Sequence, residues 1–385
     1  MAINKTDKVL NVPTLRFPGF TDKWEKKRVG DIAKLSKGAG ISKDDRSISG
    51  VPCILYGELY TTYNSEIINK VVSKTELPLD NLVQSEGNDV IIPSSGESAI
   101  DISTARCITT SGILLGGDLN IIRLKNDDGR FLSYQLNGVR KLDIAKVAQG
   151  VSVVHLYGDA LKSISVSLPH IDEQKKIADF LSLLDERIAL QSKLIEDLKK
   201  LKSAIRANIF QRLKNAPTHT KSGAELLLYE QPTKYIVEDY EYSSDKTQTP
   251  VLTANKSLIL GYTSENFGVY DKGNCIILDD FTLDMKFITF PFKVKSSAIK
   301  ILTAKCGVNL RFIFEQLQWM GLTPLGHNRH YISMVEPMQF YCPSIEVQRN
   351  IAQLLDKADD KLRNELQLLE LLIKQKSFLL SAMFI

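Results

Sequence analysis

Residues 165–210, SVSLPHIDEQKKIADFLSLLDERIALQSKLIEDLKKLKSAIRANIF, align without a gap to residues 339–384, QFYCPSIEVQRNIAQLLDKADDKLRNELQLLELLIKQKSFLLSAMF. The offset is a constant 174: Pro169, Ile171, Gln174, Ile177, Ala178, Leu181, Asp185, Glu196, Lys202 and Phe210 recur as Pro343, Ile345, Gln348, Ile351, Ala352, Leu355, Asp359, Glu370, Lys376 and Phe384. In each copy the seam positions step by alternating fours and threes, with two of them polar and the rest apolar. The apolar ones fall at Ile177, Leu181, Leu184, Ile188, Ile195, Leu198, Ile205 and Ile209, and again at Ile351, Leu355, Ala358, Leu362, Leu369, Leu372, Leu379 and Met383. That is the spacing of a coiled-coil seam. Pro169 and Pro343 stand just before the helices, where proline is tolerated. Asp172, Glu173 and Glu346 put negative charge in the first turns, which the helix dipole favours. A helix of about 40 residues is roughly 60 Å long. No small domain needs that length; a spacer does.

Weaker echoes precede each copy in the same order. Gly87-Asn88-Asp89-Val90-Ile91-Ile92 matches Gly273-Asn274-Cys275-Ile276-Ile277-Leu278, and Arg130-Phe131 with Gln135-Leu136 matches Arg311-Phe312 with Gln316-Leu317. The chain therefore reads as two copies of one unit, a variable globular domain followed by a long helix. The expected organisation is a first domain over 1–168, a helix over 169–214, a second domain over 215–342 and a second helix over 343–385. The globular parts are mixed. VPCILYG, NDVIIPSS and LNIIRL read as strands, as do TPVLTANKSLILGYT, NCIILDD and FITFPFKV in the second half, while 130–142 and 309–320 read as short helices. The fold class is α+β.

Two equal helices facing each other across a pseudo-twofold axis must run antiparallel. The seam is polar at Gln191, Lys202, Glu365 and Lys376, and polar layers set register. Pairing Ile195 with Leu372 puts Ile188 opposite Leu379, Gln191 opposite Lys376 and Lys202 opposite Glu365. The expected seam is Ile188, Gln191, Ile195, Leu198 and Lys202 against Leu362, Glu365, Leu369, Leu372 and Lys376.

With 385 residues, 43% hydrophobic and 24% charged, the composition is that of a multidomain globular protein. The net charge of +4 does not announce a nucleic-acid binder, so a duplex would need Lys and Arg gathered on one face. The cysteines, Cys53, Cys107, Cys275, Cys306 and Cys342, are odd in number and form no Cys-x-x-Cys pair, as expected of reduced thiols in a cytoplasm. The opening MAINKTDKVLNVP has no apolar core of a secretory signal, and no stretch approaches a membrane span.

The opening Pro13-Thr14-Leu15-Arg16-Phe17-Pro18-Gly19-Phe20, followed by Trp24 and Val29-Gly30-Asp31-Ile32, resembles the start of specificity (S) subunits of type I restriction-modification systems, and so do the two Pro-x-Ile-x-x-Gln signatures that lead into the long helices. The resemblance covers essentially the whole chain. It implies two target-recognition domains, each reading half of a split double-stranded DNA site, and two helices that space them and dock two methyltransferase (modification) subunits. It implies no catalytic site and no cofactor on this chain. S-adenosylmethionine belongs on the modification partner, which flips an adenine out for methylation, and ATP/Mg on the restriction/translocase subunits of a larger cytoplasmic complex. One departure is that the second domain opens Ser222-Gly223-Ala224-Glu225-Leu226-Leu227-Leu228-Tyr229 and lacks the Trp and Gly-Asp-Ile of the first. The two half-sites should therefore differ.

Catalytic readings find little support. No Gly-Lys dipeptide occurs, so a Walker A phosphate loop is missing, and no Asn-Pro-Pro-aromatic or Asp-Pro-Pro-aromatic tetrapeptide occurs. Glu173-Gln174-Lys175 has a nuclease-like Glu-x-Lys form, yet its repeat partner is Val347-Gln348-Arg349 and both open a helix. His327-Asn328-Arg329-His330 offers two imidazoles but no neighbouring Cys or carboxylate cluster, so no metal is expected. Histidine, asparagine and arginine also reach base edges and phosphates. Gly326 precedes this cluster much as Gly150 precedes Val151-Ser152-Val153-Val154-His155. The expected DNA contacts are Lys43, Arg46, Tyr60, Thr61, Thr62, Tyr63, Ser94, Ser95, Ser152 and His155 in the first domain, and His327, Asn328, Arg329 and His330 in the second. The rival functions are a helical adaptor that binds other proteins, and a fused DNA-modifying enzyme with unfamiliar motifs.

Overall fold

The computed structural model describes residues 11–254, 257–326 and 328–385. It is α+β, with long helices over Ile171–Asn215 and Ile345–Ala382. The chain divides into two compact units, one of residues 1–193 with 367–385 and one of residues 194–366. Each long helix contributes its two halves to different units. Among the described residues no helix is long and apolar enough to cross a membrane.

In the first unit a five-stranded sheet runs in the order Ala33–Lys37, Leu119–Leu124, Asp89–Pro93, Arg106–Ile108, Ile67–Ile68. The central strands Asp89–Pro93 and Leu119–Leu124 are apolar on both faces because both are covered: Val90, Ile92 and Ile122 face one core, and Ile91 and Ile121 the other. The helix Gly129–Asn137 covers the first face with Phe131, Leu132, Tyr134 and Leu136. The second unit repeats this arrangement. Its sheet orders Leu227–Glu230, Ile299–Ala304, Cys275–Asp279 and Met285–Ile288, all antiparallel, under the helix Leu310–Met320.

The Pro-x-Ile-x-x-Gln signature has a structural cause. The Gln174 side chain donates to the Pro169 carbonyl (2.9 Å) and accepts from the Asp128 backbone N–H (3.0 Å). Asp128 in turn caps the short helix through the Arg130 and Phe131 N–H groups. In the second unit Gln348 donates to the Pro343 carbonyl (2.9 Å) and accepts from the Asn309 N–H (3.0 Å), and Asn309 caps the helix Leu310–Met320. One amide thus ties the start of a long helix to the cap of a short one, twice. Gln174→Ala is expected to cost about 1–3 kcal/mol, because it leaves a buried N–H and a carbonyl unpartnered. Chemical denaturation measures the loss, and Gln174→Glu should not restore it.

The polar seam residues meet acids. Lys376 pairs with Glu66 and with Asp185 (2.6 Å), and the Tyr134 hydroxyl donates to the same Asp185 carboxylate (2.7 Å). In the other unit Lys202 pairs with Asp359 and stands 3.6 Å from Glu315, which also takes Arg206 (2.7 Å) and Arg311 (2.7 Å). Asp185 and Asp359 are 174 apart, as are Lys202 and Lys376, so one contact is built twice. Numbers fall on one helix as they rise on the other, which is the antiparallel order. The expected register had put Glu365 opposite Lys202. The acids that Lys202 meets are instead Asp359 and Glu315, while Glu365 pairs with Lys361 on its own helix. A lysine stem reaches along a helix to a carboxylate a turn or more from its own layer, so seam spacing alone does not name its partner. Ile188, Gln191, Ile195, Leu198, Lys202, Leu362, Glu365, Leu369, Leu372 and Lys376 are all buried or half-buried.

Near the end of each long helix stands an aromatic plug. Phe384 lies 5.1 Å from Phe131 and 6.4 Å from Trp24, ring centre to ring centre. Phe210 lies 5.4 Å from Phe312 and 5.6 Å from Trp319. The tryptophan missing from the second domain's opening is thus replaced in space by one from the helix Leu310–Met320.

Candidate nucleic-acid interface

The structure gathers most of the first domain's expected contacts at one end. Lys43, Arg46, Thr61 and Thr62 line a cleft of about 480 Å³ with Tyr56, Glu58 and Asp118. Arg46 donates to the Lys43 carbonyl (3.2 Å) and stands 3.8 Å from the buried Glu58 carboxylate, which accepts the Leu55 N–H (3.0 Å). This acid orients the guanidinium while leaving much of it in solvent. Asp118 connects the cleft to the next segment, since its carbonyl accepts the Ser94 N–H (2.7 Å) and the Ser94 carbonyl accepts the Leu156 N–H (2.9 Å). Beyond it, Ser95–Gly96 pairs antiparallel with Val154–His155, with Ser95 opposite His155. The Tyr60 hydroxyl lies over Gly96, about 3.4 Å from where a Cβ would stand. Burial raises the Tyr60 phenol above its ordinary range, so at neutral pH it remains protonated, able to donate as well as accept.

His155 and Gln149 exchange both backbone hydrogen bonds (2.7 and 2.9 Å), which closes a hairpin with Ser152 exposed at its tip. Gly150 adopts φ +117°, and a Cβ there would meet the Val153 carbonyl oxygen at 2.1 Å. Only glycine fits that close approach. The His155 ring stacks on Tyr157 at 6.3 Å.

Three of the first-domain residues expected to contact DNA are buried. Tyr63 is buried in the core, and its hydroxyl accepts the Val72 N–H (3.2 Å). Ser94 and Ser95 are buried where a strand end meets the ribbon. Their sequence looked like a polar turn, but the neighbouring ribbon covers them. In the second domain His327 lies outside the described residues. Asn328 and Arg329 are exposed. His330 is 2% exposed. The His330 and Tyr331 N–H groups both donate to one Asp280 carboxylate oxygen (3.0 and 2.8 Å), and Lys300 stands 3.4 Å from Asp280. His330 therefore anchors the loop whose exposed members precede it. Asp280, which anchors this loop, follows the strand Cys275–Asp279 as Ser94 follows Asp89–Pro93.

Sequence reasoning missed Asp118, Tyr157 and, in the second domain, a cleft of about 660 Å³ lined by Thr253, Lys295, Ser296, Asp279 and Thr282. Lys295 directly follows the short strand Lys293–Val294, and a cation at a strand end was a readable signal; Asp118 and Tyr157 gave none beyond lying next to strands. Among the described residues no group of three or more His, Cys, Asp or Glu is placed to hold a metal ion. All five cysteines are free thiols, and burial pushes that of Cys53 up to about 11, well away from a reactive thiolate.

Residues 21–200 match the family described as the type I restriction modification DNA specificity domain. The chain is 40% identical over 147 residues to the type I restriction enzyme EcoR124I/EcoR124II specificity subunit of Escherichia coli, covering 34% of this chain and 36% of that protein. It is 27% identical over 216 residues to the MjaVIII specificity subunit of Methanocaldococcus jannaschii, covering 55% of this chain and 47% of the relative. The chain thus spans between about a third and a half of the length of these curated relatives. In fold it is similar to the type I restriction-modification S subunit from M. genitalium, with a TM-score of 0.65 at 16% identity, covering 97% of this chain and 99% of that one. A second solved chain, from work on complex assembly and conformational transition of the type I R-M system, gives a TM-score of 0.52 at 13% identity, covering 95% of this chain and 98% of that one.

Proposed function

We propose, on the premise that residues 21–200 match a DNA specificity domain, that this chain is the sequence-specific double-stranded DNA recognition subunit of a type I restriction-modification complex. That match is the observation that carries the reading. The duplicated architecture extends it, since two diverged domains (1–168 and 215–342) read two halves of a bipartite site and the helices after them set the separation. Half-sites about one turn apart, ~34 Å, face the same side of B-DNA, within reach of helices of 45 and 38 residues. The helices also dock methyltransferase subunits, and restriction/translocase subunits join the assembly. The chain is not itself an enzyme; S-adenosylmethionine and ATP/Mg bind its partners. Lys43, Arg46, Tyr60, Thr61, Thr62, Ser152 and His155 contact the first half-site, and Asn328 and Arg329 the second.

Methylation mapping of a genome carrying this chain and its modification partner tests the reading. A bipartite methylated motif is expected. Exchanging residues 1–168 for the equivalent domain of a relative should change one half of the motif and leave the other. Both halves changing would defeat the modular assignment. An adaptor would give no motif, and highly purified chain alone that methylates DNA would make it an enzyme.

A further inference from the structure

We propose that the hairpin tip Val151-Ser152-Val153 reads thymine 5-methyl groups in the major groove of the half-site taken by the first domain. The assignment rests on the DNA-recognition reading above. Val151 is 96% exposed and Val153 53% exposed. Two β-branched apolar residues stand at a loop tip where polar residues would serve solvation better, and among the described residues nothing covers them. The base of the hairpin is fixed by the Gln149–His155 hydrogen bonds, by the pairing of Val154 with Gly96 and His155 with Ser95, and by the burial of Val154 and Leu156 in the core. The tip projects from a rigid base and does not trail as a tether.

The chemistry that such a tip recognises is narrow. A two-stranded ribbon fits the major groove, and thymine is the one ordinary base that shows a methyl group there, where small apolar side chains contact it. Polar readers stand beside the valines. The Ser152 hydroxyl lies between them, and the exposed His155 imidazole makes no hydrogen bond among the described residues. In the second domain the corresponding stretch after Gly326 is His-Asn-Arg-His, so methyl reading is confined to one half of the site.

The test uses the full chain copurified with its modification subunit and a random-sequence duplex library. The enriched duplex is resynthesised with each thymine in turn replaced by deoxyuridine, which removes only the methyl. For the wild type, one or two thymines in one half-site should each be worth about three- to tenfold in affinity, roughly the value of one methyl contact. Val151→Ala or Val153→Ala should weaken thymine duplex by a similar factor and abolish the thymine-to-uracil difference at its own position. Both positions are exposed, and an unchanged melting temperature confirms folding. Variants that keep the wild-type thymine-to-uracil ratio overturn the proposal. Variants that weaken both duplexes equally overturn it too, since that is the behaviour of an apolar wedge between base steps. An enriched duplex indifferent to methyl loss overturns the methyl assignment alone, whereas a library with no enriched duplex removes the DNA reading and this proposal with it.

Discussion

Replacing Lys376 by methionine is expected to destabilise the first unit by about 3–5 kcal/mol, because it strands two buried carboxylates without their cation. Glu66 and Asp185 are 6% and 8% exposed, and the lysine ammonium bonds to both. Burial already holds the Glu66 carboxyl above the ordinary glutamate range, with Asp185 adding to the rise and Lys376 and Arg106 opposing it. A carboxyl raised in the folded state binds its proton more tightly there than in the unfolded chain. Its contribution is therefore fully present below the unfolded value and is lost as pH rises through the folded one. Removing Lys376 extends that window upward. The deficit of Lys376→Met, measured by urea denaturation, should be smallest near pH 4 and grow toward pH 8. Glu66→Gln in the same background should recover part of it. A deficit independent of pH would show that lost packing, not the stranded charge, is responsible. Lys202→Met should cost less and show a weaker pH dependence, because Arg311 stays paired with Asp359 and both Arg206 and Arg311 stay on Glu315.

Phe384→Ala should cost about 3–5 kcal/mol, the range for truncating a fully buried aromatic. The ring is 3% exposed, beside Phe131 and Trp24. It lies just beyond the end of the second long helix and packs on Phe131, so its loss should loosen that helix end from the short helix Gly129–Asn137. Hydrogen exchange provides the local readout. Protection should fall over residues 367–385 and 129–137 and persist over Leu310–Met320, whose plug is Phe210. Uniform loss of protection across both units would mean that the plug supports more than its own core.

How much of this was legible in sequence depended on the range of the interaction. The strand at 119–124 was read to the residue, and the short helix expected over 309–320 forms over Leu310–Met320, because apolar runs between turn residues are local signals. The helix expected over 130–142 instead breaks at Gly138 into Gly129–Asn137 and Lys141–Val147. Site residues were less legible. Tyr60 to Tyr63 is one polar aromatic run, yet Tyr63 is core while Thr61 and Thr62 line a cleft. His330 and Arg329 are neighbours, yet one is buried on Asp280 and the other exposed.

By itself the sequence determined that the chain is a duplicated unit with two long amphipathic helices, since a heptad period and a fixed 174-residue offset are properties of spacing alone. It also determined that each helix would carry a lysine in an apolar seam. Only the tertiary structure decided which acids those lysines meet, that Trp319 stands in for a missing tryptophan, and which loop side chains remain in solvent. The lysine–acid pairs and the Trp319–Phe210 contact join groups 109 to 310 residues apart along the chain, and no local period encodes which distant surface will close over a side chain.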